Sequence, residues 1–144
     1  MATVGDILRI KGTEVVSVGP DATVLEAARC MNEHGIGSVL VLEDGALVGI
    51  FTERDVLRRV VAVQRDPAST PVRDVMSRRL VTCDPGTDME ACAQSMSGGR
   101  IRHLPVIAGG KLAGLVTSGD VLAYQLRDQE STIRQLHGFI YDGR

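Results

Sequence analysis

Residues 16–57 of this 144-residue chain return, without a gap, as residues 81–122. At this offset of 65, Val16, Pro20, Ala28, Met31, Ile36, Val41, Gly45, Leu47, Gly49, Thr52, Asp55, Val56 and Leu57 meet identical residues. The best-kept block runs from Gly49 to Asp55, against Gly114 to Asp120. A duplicated unit of about 60 residues buries only a marginal core by itself, so the copies are expected to share one. Duplication also predicts two-fold pseudo-symmetry, with ligand clefts between the halves.

Each copy reads strand, helix, strand, hairpin, strand, helix. In the first, Glu14–Val18 is an expected strand, and Thr23 caps a helix over Val24–His34 whose Val24, Ala27, Ala28 and Met31 share a face. Ser38–Leu42 is nearly all apolar and suits a strand covered on both faces. Asp44-Gly45 is a two-residue hairpin signal before the return strand Leu47–Phe51. A second helix is expected from Thr52 to about Val63. In the second copy the expected elements are a strand at Leu80–Cys83, a helix at Met89–Ser97, strands at His103–Ile107 and Lys111–Val116 about the Gly109-Gly110 turn, and a helix from Ser118. A shorter echo precedes each copy: Val4–Leu8 resembles Val72–Met76 at an offset of 68. The domain reading is 3–64 for the first repeat with its leading segment, 65–71 for a polar, proline-marked linker, 72–125 for the second repeat and 126–144 for a tail. In the tail Leu126, Ile133, Leu136 and Ile140 are spaced for one helix face, which either covers the core or binds a second subunit.

Composition narrows the function classes. A net charge of −2, no Trp and four other aromatics give neither a broad basic surface nor stacking platforms for nucleic acid. No apolar run reaches membrane-spanning length, and the first residues lack the pattern of a secretory signal. Cys30, Cys83 and Cys92 are an odd set without metal-ligand spacing. Cys30 and Cys92 fall in apolar helical patterns and read as core residues. A reducing cytoplasm is the expected compartment.

Two positions per copy invite chemistry. Thr52 and Asp55, like Thr117 and Asp120, stand where a strand hands over to a helix. Unpaired N–H groups and the dipole at a helix start favour an anion, and a threonine hydroxyl can add a bond to a phosphate. A carboxylate three residues on accepts two adjacent donors, such as the hydroxyls of a ribose. The same spacing also makes a capping box, in which the acid satisfies only the cap's own N–H. Gly49 and Gly114, just ahead, would let a ligand approach the backbone. Arg102 and His103 face phosphate in one reading and are plain edge residues in the other. A metal role for His103 lacks a partner at ligand spacing. Arg58-Arg59 reads as a solvated helix face.

The paired units, the Gly-x-x-Thr-x-x-Asp ends and Ile101-Arg102-His103-Leu104-Pro105-Val106 resemble a tandem pair of cystathionine β-synthase (CBS) domains, or Bateman module, over about residues 3–125. Small stand-alone bacterial proteins of this type share Thr52-Glu53-Arg54-Asp55 and a tail similar to Thr132–Leu136. The resemblance implies an α+β fold of two β-α-β-β-α repeats packed through their sheets with pseudo-two-fold symmetry. It implies adenine-nucleotide binding (AMP, ADP, ATP, NAD or S-adenosylmethionine) in two clefts, and a disc-like homodimer. Carried over, one cleft comprises Leu115, Thr117, Gly119 and Asp120, with Arg102 and His103 toward phosphate and Ile36, Gly37, Lys11 and Val16 around the base. The other comprises Ile50, Thr52, Arg54 and Asp55, with Ile101, Arg102 and the Ser77–Val81 segment. Gly37-Ser38 stands where the second copy has Arg102-His103, so the clefts should differ in affinity.

No residue set makes a credible catalyst: there is no nucleophile elbow, phosphate loop or activated cysteine. The expectation is a regulatory sensor whose nucleotide is a signal read by a partner protein, and not an enzyme. The alternative is an adaptor homodimer whose tail is the interaction element.

Overall fold

The computed structural model describes residues 2–99 and 101–142, and the side chains of all of these except 131, 132 and 134–142. The chain forms α1 (Val4–Lys11), β1 (Ser17–Val18), α2 (Val24–His34), β2 (Ser38–Glu43), β3 (Ala46–Thr52) and α3 (Glu53–Asp55), which runs on as a π-helix over Val56–Val61. After a 3₁₀ turn at Val72–Asp74 come α4 (Met89–Gly99), β4 (His103–Ala108), β5 (Lys111–Thr117) and α5 (Ser118–Asp142). This is a mixed α+β fold with small sheets, as the resemblance implied.

Local rules explain most of these elements. Thr23 accepts a hydrogen bond from the Glu26 N–H at 3.1 Å and caps α2, which stops at Gly35 in the left-handed region (φ 61°). Val24, Ala27 and Met31 form the buried face of α2, while Ala28 is half-buried. The β2–β3 turn places Asp44 at φ 50° and Gly45 at φ 81°, the two positive angles a tight hairpin turn requires. Gly109 (φ 57°) and Gly110 (φ 77°) do the same between β4 and β5. Ser38–Val41 of β2 are fully buried, as a strand covered on both faces must be.

The first strand of each copy is smaller than expected. Instead of Glu14–Val18, only Ser17 and Val18 pair with β2, in parallel. The strand expected at Leu80–Cys83 shrinks to one parallel bridge, Cys83 to Val106. Such short edges leave little backbone to protect. The second copy's last helix and the tail are one continuous 25-residue helix, α5, and not two segments. The side chains of Leu136 and Ile140 lie outside the described residues, as do residues 143 and 144.

The chain gathers into two compact units. One, here the α1 unit, takes the described residues of 1–13, 83–107 and 113–144; the other, the β1 unit, takes 14–82 and 108–112. Repeats in the sequence and units in space therefore differ: the segment leading into each copy folds with the other copy. Val4, Ile7 and Leu8 of α1 join Met89, Cys92 and Met96 of α4 and Leu104, Val106, Val116 and Val121 in one core. Val72, Val75 and Met76 join α2, Val39, Val41, Phe51 and Val60 in the other. Cys92 is buried, whereas Cys30 is half-buried against its core.

Candidate functional site

Both Thr-x-x-Asp motifs form complete capping boxes. The Thr117 N–H donates to Asp120 Oδ2 at 2.9 Å, and the Asp120 N–H returns a bond to Thr117 Oγ1 at 3.1 Å. In the β1 unit the Thr52 N–H donates to Asp55 Oδ2 at 3.0 Å, and the Asp55 N–H to Thr52 Oγ1 at 3.3 Å. One further donor is consumed at each helix start: the Ser118 N–H meets the Arg102 carbonyl, and the Glu53 N–H the Gly37 carbonyl, both at 3.0 Å. The expected set of unpaired N–H groups for an anion is thus largely satisfied by the chain itself. The capping reading of the spacing holds, and each box runs through one carboxylate oxygen, Oδ2.

The glycines ahead of the boxes also serve the chain. A Cβ on Gly49 would stand 2.6 Å from Met76 Sδ and 3.0 Å from the Ser77 carbonyl oxygen; one on Gly114 would stand 2.9 Å from Leu8 Cδ2. Leu8 and Met76 are equivalent residues of the two leading segments. The close approach expected of a ligand is made by these side chains, each lying on the strand glycine of the opposite copy.

Beyond these shared features the two motifs diverge. In the α1 unit the Lys11 ammonium, at the end of α1, donates to the Leu115 carbonyl at 2.8 Å and also forms an ion pair with Asp120 Oδ2. This brings together Lys11, Leu115, Thr117 and Asp120, with Arg102 tied in through its carbonyl. Arg102 and Gly119 are exposed, and Ile101 and His103 are half-buried. In the β1 unit the strand edge at Ile50 is closed by backbone: the Ile50 N–H donates to the Ser77 carbonyl at 3.0 Å and the Ser77 N–H to the Ile50 carbonyl at 2.9 Å. Asp55, 8 % exposed, has Arg59 as its cation at 3.8 Å. Arg59 also donates to the Val75 and Met76 carbonyls at 3.1 and 3.0 Å, so this residue, exposed with Arg58 as expected, is in addition a fastener. No local signal could have found it, since its repeat equivalent is Tyr124.

Of the other expected site residues, Val16, Ile36, Gly37, Ile50, Thr52, Arg54 and Val81 lie in the β1 unit. Val16 packs against that unit's core, while Ile36, Arg54 and Val81 are exposed. A Cβ on Gly37 would run into the Glu53 carboxylate. The swap of Gly37 and Glu53 for Arg102 and Ser118 therefore exchanges an acid for a base at the same place in the two motifs. Among the described residues no group of three or more His, Cys, Asp or Glu could hold a metal ion, and no helix is long and apolar enough to cross a membrane.

A profile of the CBS domain matches this chain twice, over residues 3–62 and 72–127. The CBS domain-containing protein YhcV of Bacillus subtilis is 38% identical, over 83% of this chain and 84% of its own length. The mitochondrial CBS domain-containing protein CBSX3 of Arabidopsis thaliana is 33% identical, over 98% of this chain and 73% of its own. The crystal structure of a CBS-domain-containing protein from Agrobacterium tumefaciens superposes with a TM-score of 0.82 at 38% identity, covering 86% of this chain and 99% of that one.

Proposed function

The chain belongs to the CBS-domain family as a tandem pair, and on that premise we propose that it is a regulatory sensor of an adenine nucleotide. CBS-domain pairs are generally regulatory, nucleotide-binding modules. The reading is therefore a binder whose ligand is a signal, with AMP, ADP, ATP, NAD and S-adenosylmethionine as the candidate ligands. The observation that carries it is the cluster in the α1 unit: Asp120 held in place by Thr117, Lys11 on the same carboxylate and on the Leu115 carbonyl, and Arg102 at the helix start.

In this reading the ribose hydroxyls donate to the Asp120 carboxylate. The Lys11 and Arg102 cations, with the His103 ring alongside, offset phosphate charge. A carboxylate already fixed by its cap loses little freedom on binding, which favours affinity. The ligand acts by stabilising whichever conformation it binds better, and a partner protein reads that shift.

Calorimetry of the full chain with each candidate nucleotide tests this. At least one should bind below millimolar. Asp120→Asn, which keeps a capping acceptor but removes the charge, should weaken it by about 1–2 kcal/mol. Arg102→Ala should weaken ATP or AMP and leave adenosine unchanged. Absence of binding by all five nucleotides would end the sensor reading.

A second reading, the adaptor homodimer, is favoured by a different observation. Leu57 and Val61 in one copy, and their equivalents Leu122 and Leu126 in the other, are all more than half exposed. A pair of exposed apolar side chains at the same place on each helix fits a subunit contact in each unit.

A further inference from the structure

Among the described side chains of α5, the core uses only one side of the helix. Val121 is buried and Tyr124 packs against the same core, but residues 125–130 are all exposed. A second apolar line runs about 100° round the helix from Val121. It consists of Leu122, Leu126, Ile133, Leu136 and Ile140, with Gln129 filling its one polar place. The spacing is 4, 3, 4, 3, 4, which is the 3.5-residue repeat of a two-stranded seam. Leu122, Leu126 and Ile133 are 57%, 51% and 53% exposed.

We infer that α5 pairs in parallel with α5 of a second copy of this chain, through a seam from Leu122 to Ile140. The identity of the seam residues argues for a like helix. Leu126, Ile133 and Ile140 take the a positions and Leu122, Gln129 and Leu136 the d positions; isoleucine at two of the three a places and leucine at two of the three d places favour two parallel strands. Gln129 argues the same way. Facing an apolar partner, its amide would be stranded; facing its own copy across a two-fold axis, each amide serves as donor and acceptor to the other. The seam is under three heptads long, too short to associate strongly by itself, so it acts together with the folded bodies that carry it. This deepens the homodimer reading and rests on it.

Sedimentation equilibrium of the full chain, wild type against Leu126→Glu/Ile133→Glu, is the test. The wild type should be a dimer, and the variant, with its melting temperature kept, should dissociate by roughly 100-fold or more, because two charges enter the seam. A dimer of unchanged strength would overturn the inference and leave the homodimer reading intact. A wild-type monomer would overturn both. Should the variant fail to fold, Ile140→Cys decides: a parallel seam brings the two introduced thiols together, so mild oxidation links the chains through residue 140, while absence of that link refutes parallel pairing.

Discussion

Asp55 and Asp120 close matching boxes, but the cation that meets each comes from a different distance along the chain. Arg59 is one helical turn beyond Asp55, whereas Lys11 is 109 residues from Asp120. The strand edges differ in parallel. Ile50 is sealed by two backbone bonds to Ser77, while the equivalent Leu115 carbonyl is met by the Lys11 side chain. A backbone ladder opens only when the segment leaves; a lysine can move by rotating its own bonds. Duplication has thus left one motif closed by main chain and the other guarded by a side-chain ammonium. The second is better suited to exchanging an internal partner for an external one.

The first edge strands of the two copies offer the largest contrast to probe. Burial pushes the Cys83 thiol up to about 11, so its thiolate is scarce below that pH. Alkylation at pH 8 should be about 100-fold slower than for an ordinary thiol, and should quicken about tenfold per pH unit toward 11. Mass spectrometry after timed labelling reads this. Rapid labelling at pH 8 would mean that the single Cys83–Val106 bridge opens freely.

The strand glycines come next. Gly49→Ala should cost roughly 2–3 kcal/mol, because the new methyl meets the Ser77 backbone as well as Met76. Gly114→Ala should cost less, about 1–2 kcal/mol, since it meets only the end of the Leu8 side chain. Urea denaturation of both variants reads the difference, and equal costs would remove the claimed distinction between sealed and guarded edges.

Smallest is the fastener pair. Arg59→Met should cost about 1 kcal/mol through the Val75 and Met76 carbonyls, at any salt concentration. Lys11→Met should cost less, about 0.5 kcal/mol, and that cost should shrink in high salt because a partly exposed ion pair is screened. Thermal melts at low and high ionic strength would separate the two. A Lys11 effect larger than that of Arg59 would reverse the assignment of which motif is the looser.

The two capping boxes of the candidate site are readable in the sequence because their signals are local. Thr52, Asp55, Thr117 and Asp120 stand at strand-to-helix junctions as their spacing suggests, whereas the ion pair of Lys11 with Asp120 is not legible there, the resemblance having set Lys11 beside the base. The roles of Gly49 and Gly114 were misread, because nothing nearby in the chain announces that Leu8 and Met76 will lie on them. Arg59 is exposed as its sequence suggests, but its fastening role is not legible there, because its carbonyl partners are 16 and 17 residues on.

The sequence alone determined the duplication, the hairpins at Asp44-Gly45 and Gly109-Gly110, the helix caps and the alternation of strand and helix. Each of these is set by φ preferences, side-chain period or a hydrogen bond spanning three residues. Only the tertiary structure decided that the leading segments cross to the opposite copies, that the first strands shrink to a two-residue edge and a single bridge, and which cation meets which aspartate. Those outcomes depend on how the cores close and which distant backbone groups are thereby left to satisfy. The two repeats share the local signals of their motifs, and those shared signals do not by themselves say which distant group will meet each aspartate.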